Sequence, residues 1–139
     1  MSQNALDISG LKELATEVFA PMIQAMKIEP HSINETGARF LVPENDFIMR
    51  VGDIVCGQAL ASIADTVGVM ALFAHNAPAR QMTTVDMTTH FMRPLFAGIL
   101  DVEATIVSNG RRMATVRIDI RQQGQKKIAA ATTCCYAYL

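Results

Sequence analysis

Between Ile54 and Ala79 the chain is apolar with a three- and four-residue step. Leu60, Ile63, Val67, Met70, Ala71 and Ala74 recur as a helix face, while Gln58, Ser62, Asp65 and Thr66 share a narrower stripe. This predicts a central helix over about 56–75, ended by Asn76-Ala77-Pro78, and so apolar all round that the rest of the chain must wrap it. Upstream, Leu11, Leu14, Ala15, Val18, Phe19, Met22 and Ile23 mark an amphipathic helix over about 8–25. It is capped at Asp7 or Ser9 and kinked or ended early by Pro21. Lys27–Asn34 and Gly37–Pro43 read as short strands joined at Glu35-Thr36-Gly37, and residues 47–55 as irregular. After the central helix the period drops to two. Gln81–Met92 alternates, with Val85, Met87 and Phe91 on one side and Thr84, Asp86 and His90 on the other. Ile99–Val107, Met113–Arg121 and Lys127–Tyr138 follow, and the Gly in each connecting turn makes an antiparallel meander the natural pairing. Leu100, Val102, Ala104 and Ile106, with Ala114, Val116, Ile118 and Ile120, supply the side that faces the helix. The expected class is α+β: an antiparallel sheet wrapped around one long buried helix.

A membrane span fits the length of the apolar run but not its content. A central Asp costs roughly 2.5–3.5 kcal/mol at mid-bilayer, and Gln58, Ser62 and three glycines within or just before the run weaken it further. The chain has 139 residues, half of them hydrophobic, which suits one domain over 1–139. A net charge of −1 gives no basic field, so nucleic acid is not expected as a partner. Nor is a membrane. No basic segment followed by an apolar run opens the chain, so a cytoplasmic protein is expected. Three cysteines, two of them vicinal, form neither a disulfide framework nor a zinc spacing. His31 and His75 have no ligand partners at metal spacing, so no metal is expected. High apolar content in a short chain points to surface covered by another subunit.

Asp65 is the only formal charge from Ile54 to Ala79. Held near or inside the interior, an ionised carboxylate needs a partner or a task. The bland assignment is a cap or an ion pair; the sharper one is catalysis. Cys56 at the helix start is a weaker candidate nucleophile, with no evident base in sequence.

Those residues carry a resemblance. The order helix, two strands, Gly57-x-x-x-x-Ser62-Ile63-Ala64-Asp65-Thr66, then Thr84-Val85-Asp86-Met87-Thr88-Thr89-His90-Phe91-Met92-Arg93-Pro94, resembles the hotdog-fold acyl-CoA thioesterases of the phenylacetate-pathway (PaaI-like) type. The likeness covers residues 10–138, and the Gly110-Arg111-Arg112-Met113-Ala114 turn joins it. It implies a hotdog fold and an obligate homodimer, often a dimer of dimers, with two active sites at the interface and no cofactor. It also implies Asp65 as general base or nucleophile, the Gly57 amide as the group polarising the thioester carbonyl, and a hydroxyl at Thr84 contributed by the other subunit. The family has His-Gly-Gly where this chain has Cys56-Gly57-Gln58, and Asn where it has Arg50, so Arg50, Cys56 and Gln58 become candidate substrate contacts of an altered site. Arg93, Arg111 and Arg112 are candidate clamps for CoA phosphates, with Lys126 and Lys127 as substitutes.

Elementary geometry bears on these roles. A helix N-terminus presents free N–H groups and partial positive charge, which suit a developing oxyanion. Asp65 lies eight residues beyond Gly57, roughly 12 Å along the axis, too far for both to act on one carbonyl. Two helices running antiparallel in a dimer close that gap. The expected activity is hydrolysis of an acyl-CoA thioester. The rivals are a non-catalytic acyl-CoA-binding hotdog protein and a hydratase, which needs a His beside an acid that the helix does not supply before His75. Met70, Phe73, Met82 and Met92 are candidates for an acyl pocket.

Overall fold

The computed structural model describes residues 6–139. The expected lack of a targeting segment falls mainly on the first residues, outside the described ones. The N-terminal helix is split as Pro21 requires. α1 (Ile8–Val18) is capped by Asp7, whose Oδ1 accepts from the Gly10 N–H at 2.8 Å, and α2 (Pro21–Gln24) opens on the proline. The strands β1 (Glu29–Asn34) and β2 (Gly37–Val42) pair antiparallel. Residues 47–55, expected to be irregular, carry the end of a 3₁₀ turn and a small hairpin of β3 (Met49–Arg50) and β4 (Ile54–Val55). Gly52 and Asp53 turn it at positive φ, 95° and 56°, which two-residue strands alone do not announce.

The central helix α3 (Gly57–His75) starts on Cys56 and is buried along most of its length. It is long and apolar enough to cross a bilayer, yet 67% of its most apolar stretch is buried within the protein. Four long strands follow: β5 (Met82–Phe91), β6 (Leu100–Asn109), β7 (Met113–Gln122) and β8 (Ala130–Tyr138). The sheet order is β1-β2-β6-β7-β8-β5, antiparallel at each junction. The meander of β6, β7 and β8 is as the period of two predicts. β5, although it precedes β6 in sequence, swings across to the far edge beside β8. The helix-facing residues Phe40, Val42, Leu100, Val102, Ala104, Ala114, Val116, Ile118 and Ile120 are at most 1% exposed and pack with Ile63, Val67 and Ala71 in one core.

β5 departs from simple alternation. Its pairing with β8 slips between Thr84, opposite Tyr136, and Asp86, opposite Cys135, which leaves Val85 as an extra residue in a β-bulge. The phase changes there. Thr84 therefore lies on the helix side with Met87, Thr89 and Phe91, and not with Asp86 and His90 as strict alternation requires. His90 is exposed on the outer face.

Candidate active site

The first half of the site is the start of α3. Cys56 holds an extended conformation (ψ 147°) as N-cap and its side chain makes no cap bond. The Gly57 and Gln58 N–H groups have no acceptor among the described residues, while the Cys56 carbonyl accepts from Ala59 and Leu60. A Cβ at 57 would stand 3.6 Å from the Phe91 ring, an ordinary van der Waals contact, so the helix start lies beside an aromatic wall. Around it lies a cleft of about 300 Å³, lined among others by Arg50, Gly57, Leu60, Phe91, Met92 and Arg93. No carboxylate lines it. Free donors, the helix dipole and two guanidinium groups make this cleft attractive to anionic groups and to a carbonyl oxygen gaining charge.

The second half is two turns along the same helix. Asp65 is half-buried, near the interior rather than inside it, and its Oδ1 accepts from the Thr84 hydroxyl at 2.6 Å. The resemblance assigns the hydroxyl to a second subunit; here the Thr84 of the same chain makes the contact, because the bulge brings it to the helix side. Beneath, the buried Tyr136 hydroxyl donates to the Asp65 carbonyl at 2.9 Å. Gly68 makes room for it: a Cβ at 68 would stand 2.0 Å from the Tyr136 oxygen. Burial drives the Tyr136 phenol far above its ordinary range and the neighbouring Cys134 thiol from 9.0 up to about 11, so both stay protonated. This tyrosine brace was missed at the level of sequence. The signal was Gly68 itself, since a glycine inside a helix costs about 1 kcal/mol against alanine and marks a close approach.

Within one chain the two halves do not meet. Asp65 is not among the residues that line the Gly57 cleft. Arg50, Arg93 and Met92 gather at that cleft; Cys56 is half-buried beside it, and Gln58 is exposed on the first turn. Arg111 and Arg112 sit in the exposed β6–β7 turn at the other end of the strands, where the Arg111 carbonyl accepts from Arg80 and the Arg112 carbonyl from the Tyr138 N–H. Met70 and Phe73 are buried under the N-terminal helices, apart from Met92, so the four apolar candidates do not form one acyl pocket.

A sheet curled over one buried helix, with free amides at the helix start and a carboxylate two turns on, is the hotdog architecture. The chain belongs to the thioesterase superfamily, whose family model matches residues 50–129. It is thereby a thioester hydrolase. A solved thioesterase from Haemophilus influenzae superposes with a TM-score of 0.86 at 18% identity, over 99% of this chain and 93% of that one. A phenylacetic acid degradation-related protein of Ralstonia eutropha JMP134 gives 0.77 at 22% identity, over 91% and 96%. A protein of Thermoplasma acidophilum, provisionally named an esterase, is 29% identical over 96 residues, 69% of this chain and 72% of its own.

Proposed function

We propose that this protein is a single-domain, cytoplasmic acyl-CoA thioesterase that works as a homodimer, with each active site made from the Gly57 end of one subunit and the Asp65–Thr84 pair of the other. The observation that carries the reading is the split site: a free amide cleft and a hydroxyl-held carboxylate on one helix, roughly 12 Å apart along its axis.

The free edge supplies the way to join them. β5 is an edge strand, largely exposed, with Val85 at 56% and Phe91 at 55%. Phe91 at its far end lies against Gly57, and Thr84 near its start lies against Asp65. A twofold axis near Met87 and Thr88, halfway between Thr84 and Phe91, pairs the strand with its copy and lays each Gly57 opposite the partner's carboxylate–hydroxyl pair. A dimer of dimers is the next level of assembly on this reading.

In that site the thioester carbonyl lies at the Gly57 N–H. Thr84 holds Oδ1 of Asp65, which leaves Oδ2 to take a proton from water as the water oxygen attacks the carbonyl carbon. The tetrahedral oxyanion is held by the Gly57 amide, with the adjacent Gln58 amide in reach of the same helix end. Collapse expels the CoA thiolate, which takes up a proton, and releases the free acid. Attack by Oδ2 itself, through an acyl-aspartate that water then hydrolyses, uses the same groups. Arg50 and Arg93 flank the cleft as contacts for CoA phosphates; Arg111 and Arg112 reach a site only from the partner's side.

The test is release of CoA from a panel of acyl-CoAs by the wild type and Asp65→Ala. A positioned carboxylate contributes about 10²–10⁴-fold, and Asp65→Ala is expected to lose that factor in kcat. Unchanged CoA release in Asp65→Ala removes the assignment of Asp65, and binding without release by the wild type favours a binding protein.

A further inference from the structure

Beyond the end of α3 lies a cluster of polar side chains that the reaction as described does not use. The Asn76 amide donates to the Tyr138 hydroxyl at 2.9 Å, that hydroxyl donates to the Asn109 side-chain carbonyl, and the Asn109 amide donates back to the Asn76 side-chain carbonyl at 3.0 Å. The three form a closed head-to-tail ring, in which each bond polarises the next. Arg80 lies over the Tyr138 aromatic face, 3.6 Å from its centre, and donates to the Arg111 carbonyl at 2.6 Å. The Tyr138 N–H donates to the Arg112 carbonyl at 2.8 Å.

What these bonds hold is the β6–β7 turn. Exposed turns are ordinarily the mobile parts of a sheet. This one is tied from outside its own hairpin at Asn109, Arg111 and Arg112, by residues from the segment after α3 and from the end of β8. It carries charge outward: Arg111 and Arg112 are exposed, and the ion pairs among the described residues join Arg39 to Asp101 and Arg117 to Asp119 instead. The register fixes its place. Met113, the first residue of β7, lies opposite Ala137, and Ala137 lies opposite Thr83, the neighbour of Thr84. Two strand spacings, roughly 10 Å, therefore separate the turn from the Asp65–Thr84 half of the site.

We propose that the ring of Asn76, Tyr138 and Asn109, with Arg80, is a positioning device for substrate affinity: it holds the Arg111–Arg112 turn in the arrangement in which its cations meet the phosphates of an acyl-CoA seated at the partner's Gly57 amide. The inference rests on the shared-site, acyl-CoA reading above. None of the four residues touches the substrate. Their effect lies in order: a turn already fixed loses little freedom when an anion arrives, whereas a loose one must be ordered at each binding event. The residue types fit the task. A guanidinium stacked on an aromatic face keeps its in-plane N–H groups for a carbonyl, and a phenol that both accepts and donates closes a ring between two amides.

Tyr138→Phe keeps the stack with Arg80 but opens the hydrogen-bonded ring, and Asn109→Ala opens it from an exposed side chain, where the fold is not at risk. Each is compared with the wild type, and again in a background of Arg111→Ala with Arg112→Ala, on an acyl-CoA and on the same acyl group carried by pantetheine, which has no phosphate. The wild type is expected to show the lower KM for the CoA ester. Both variants are expected to raise that KM about fivefold to tenfold, with kcat and the KM for the pantetheine ester unchanged, and to have no further effect once the two arginines are gone. Equal wild-type KM values for the two esters overturn the proposal. So does an unchanged KM for the CoA ester in the folded variants, an equal rise for both esters, or a rise that persists without the arginines, and each of these leaves hydrolysis standing. If the wild type cleaves no thioester, calorimetric binding of CoA replaces KM: affinity lost in the two variants only while the arginines are present removes the hydrolytic reading and keeps the positioning role.

Discussion

At the scale of the residue, the carboxylate is held from two sides: Thr84 fixes the side chain and Tyr136 fixes the main chain. The space for the tyrosine comes from Gly68, and the stack beneath it is closed by Cys134, which is fully buried. The places of Asp65 within the helix and of Gly57 at its start were legible in the sequence, because a lone charge in an apolar run and a glycine at a helix start are local facts. Tyr136 was not, since it lies 71 residues from the helix carbonyl it serves. The stack carries a pH signature. The folded state keeps the Cys134 proton up to about pH 11, while the unfolded chain gives its proton up near 9.0. That stabilisation is complete below pH 9 and is lost as pH rises toward 11, with Tyr136 adding in the same direction at higher pH. The loss from Cys134 amounts to about 2 kcal/mol by pH 11. Denaturant unfolding at pH 8, 9, 10 and 11 is expected to show this fall in the wild type and a shallower one in Cys134→Ala. Equal slopes in the two proteins refute it.

Among the elements, α3 and β5 decide the chemistry together. The helix was readable from its period and the meander from its alternation and glycine turns. The bulge at Val85 was not: Thr84-Val85-Asp86-Met87 alternates acceptably without it, and only the pairing with β8 shows where the extra residue falls. The hairpin at 49–55 escaped for a similar reason, since strands of two residues leave no period. The helix start offers a clean probe. Proline is accepted at the first position of a helix, and the extended Cys56 before it (ψ 147°) is the conformation a pre-proline residue prefers. Gly57→Pro therefore deletes one N–H while the helix stays in place. Its kcat is expected to fall about 10²–10³-fold with little change in melting temperature. Retained activity in a folded Gly57→Pro protein rules out this amide as the oxyanion donor.

For the whole molecule, the exposed β5 edge is the feature that most needs a partner. A strand with no partner on its outer edge and with Val85 and Phe91 exposed invites pairing, and nothing within the described chain covers that edge. The order of the sheet could not be read from the sequence, because which strand lies next to β8 is a matter of long-range pairing; the order leaves β5 at an edge, where the proposed dimer seam is drawn. The proposed function stands on that seam, which divides each active site between two chains. Mixing Asp65→Ala with Gly57→Pro tests it most directly. Each protein alone is expected to be inactive. After denaturation and refolding at equal ratio, half the dimers are mixed, each with one intact site, so about a quarter of wild-type activity returns if subunits pair at random. Mixtures as inactive as the separate variants, with mixed dimers demonstrated by mass spectrometry, contradict the shared site.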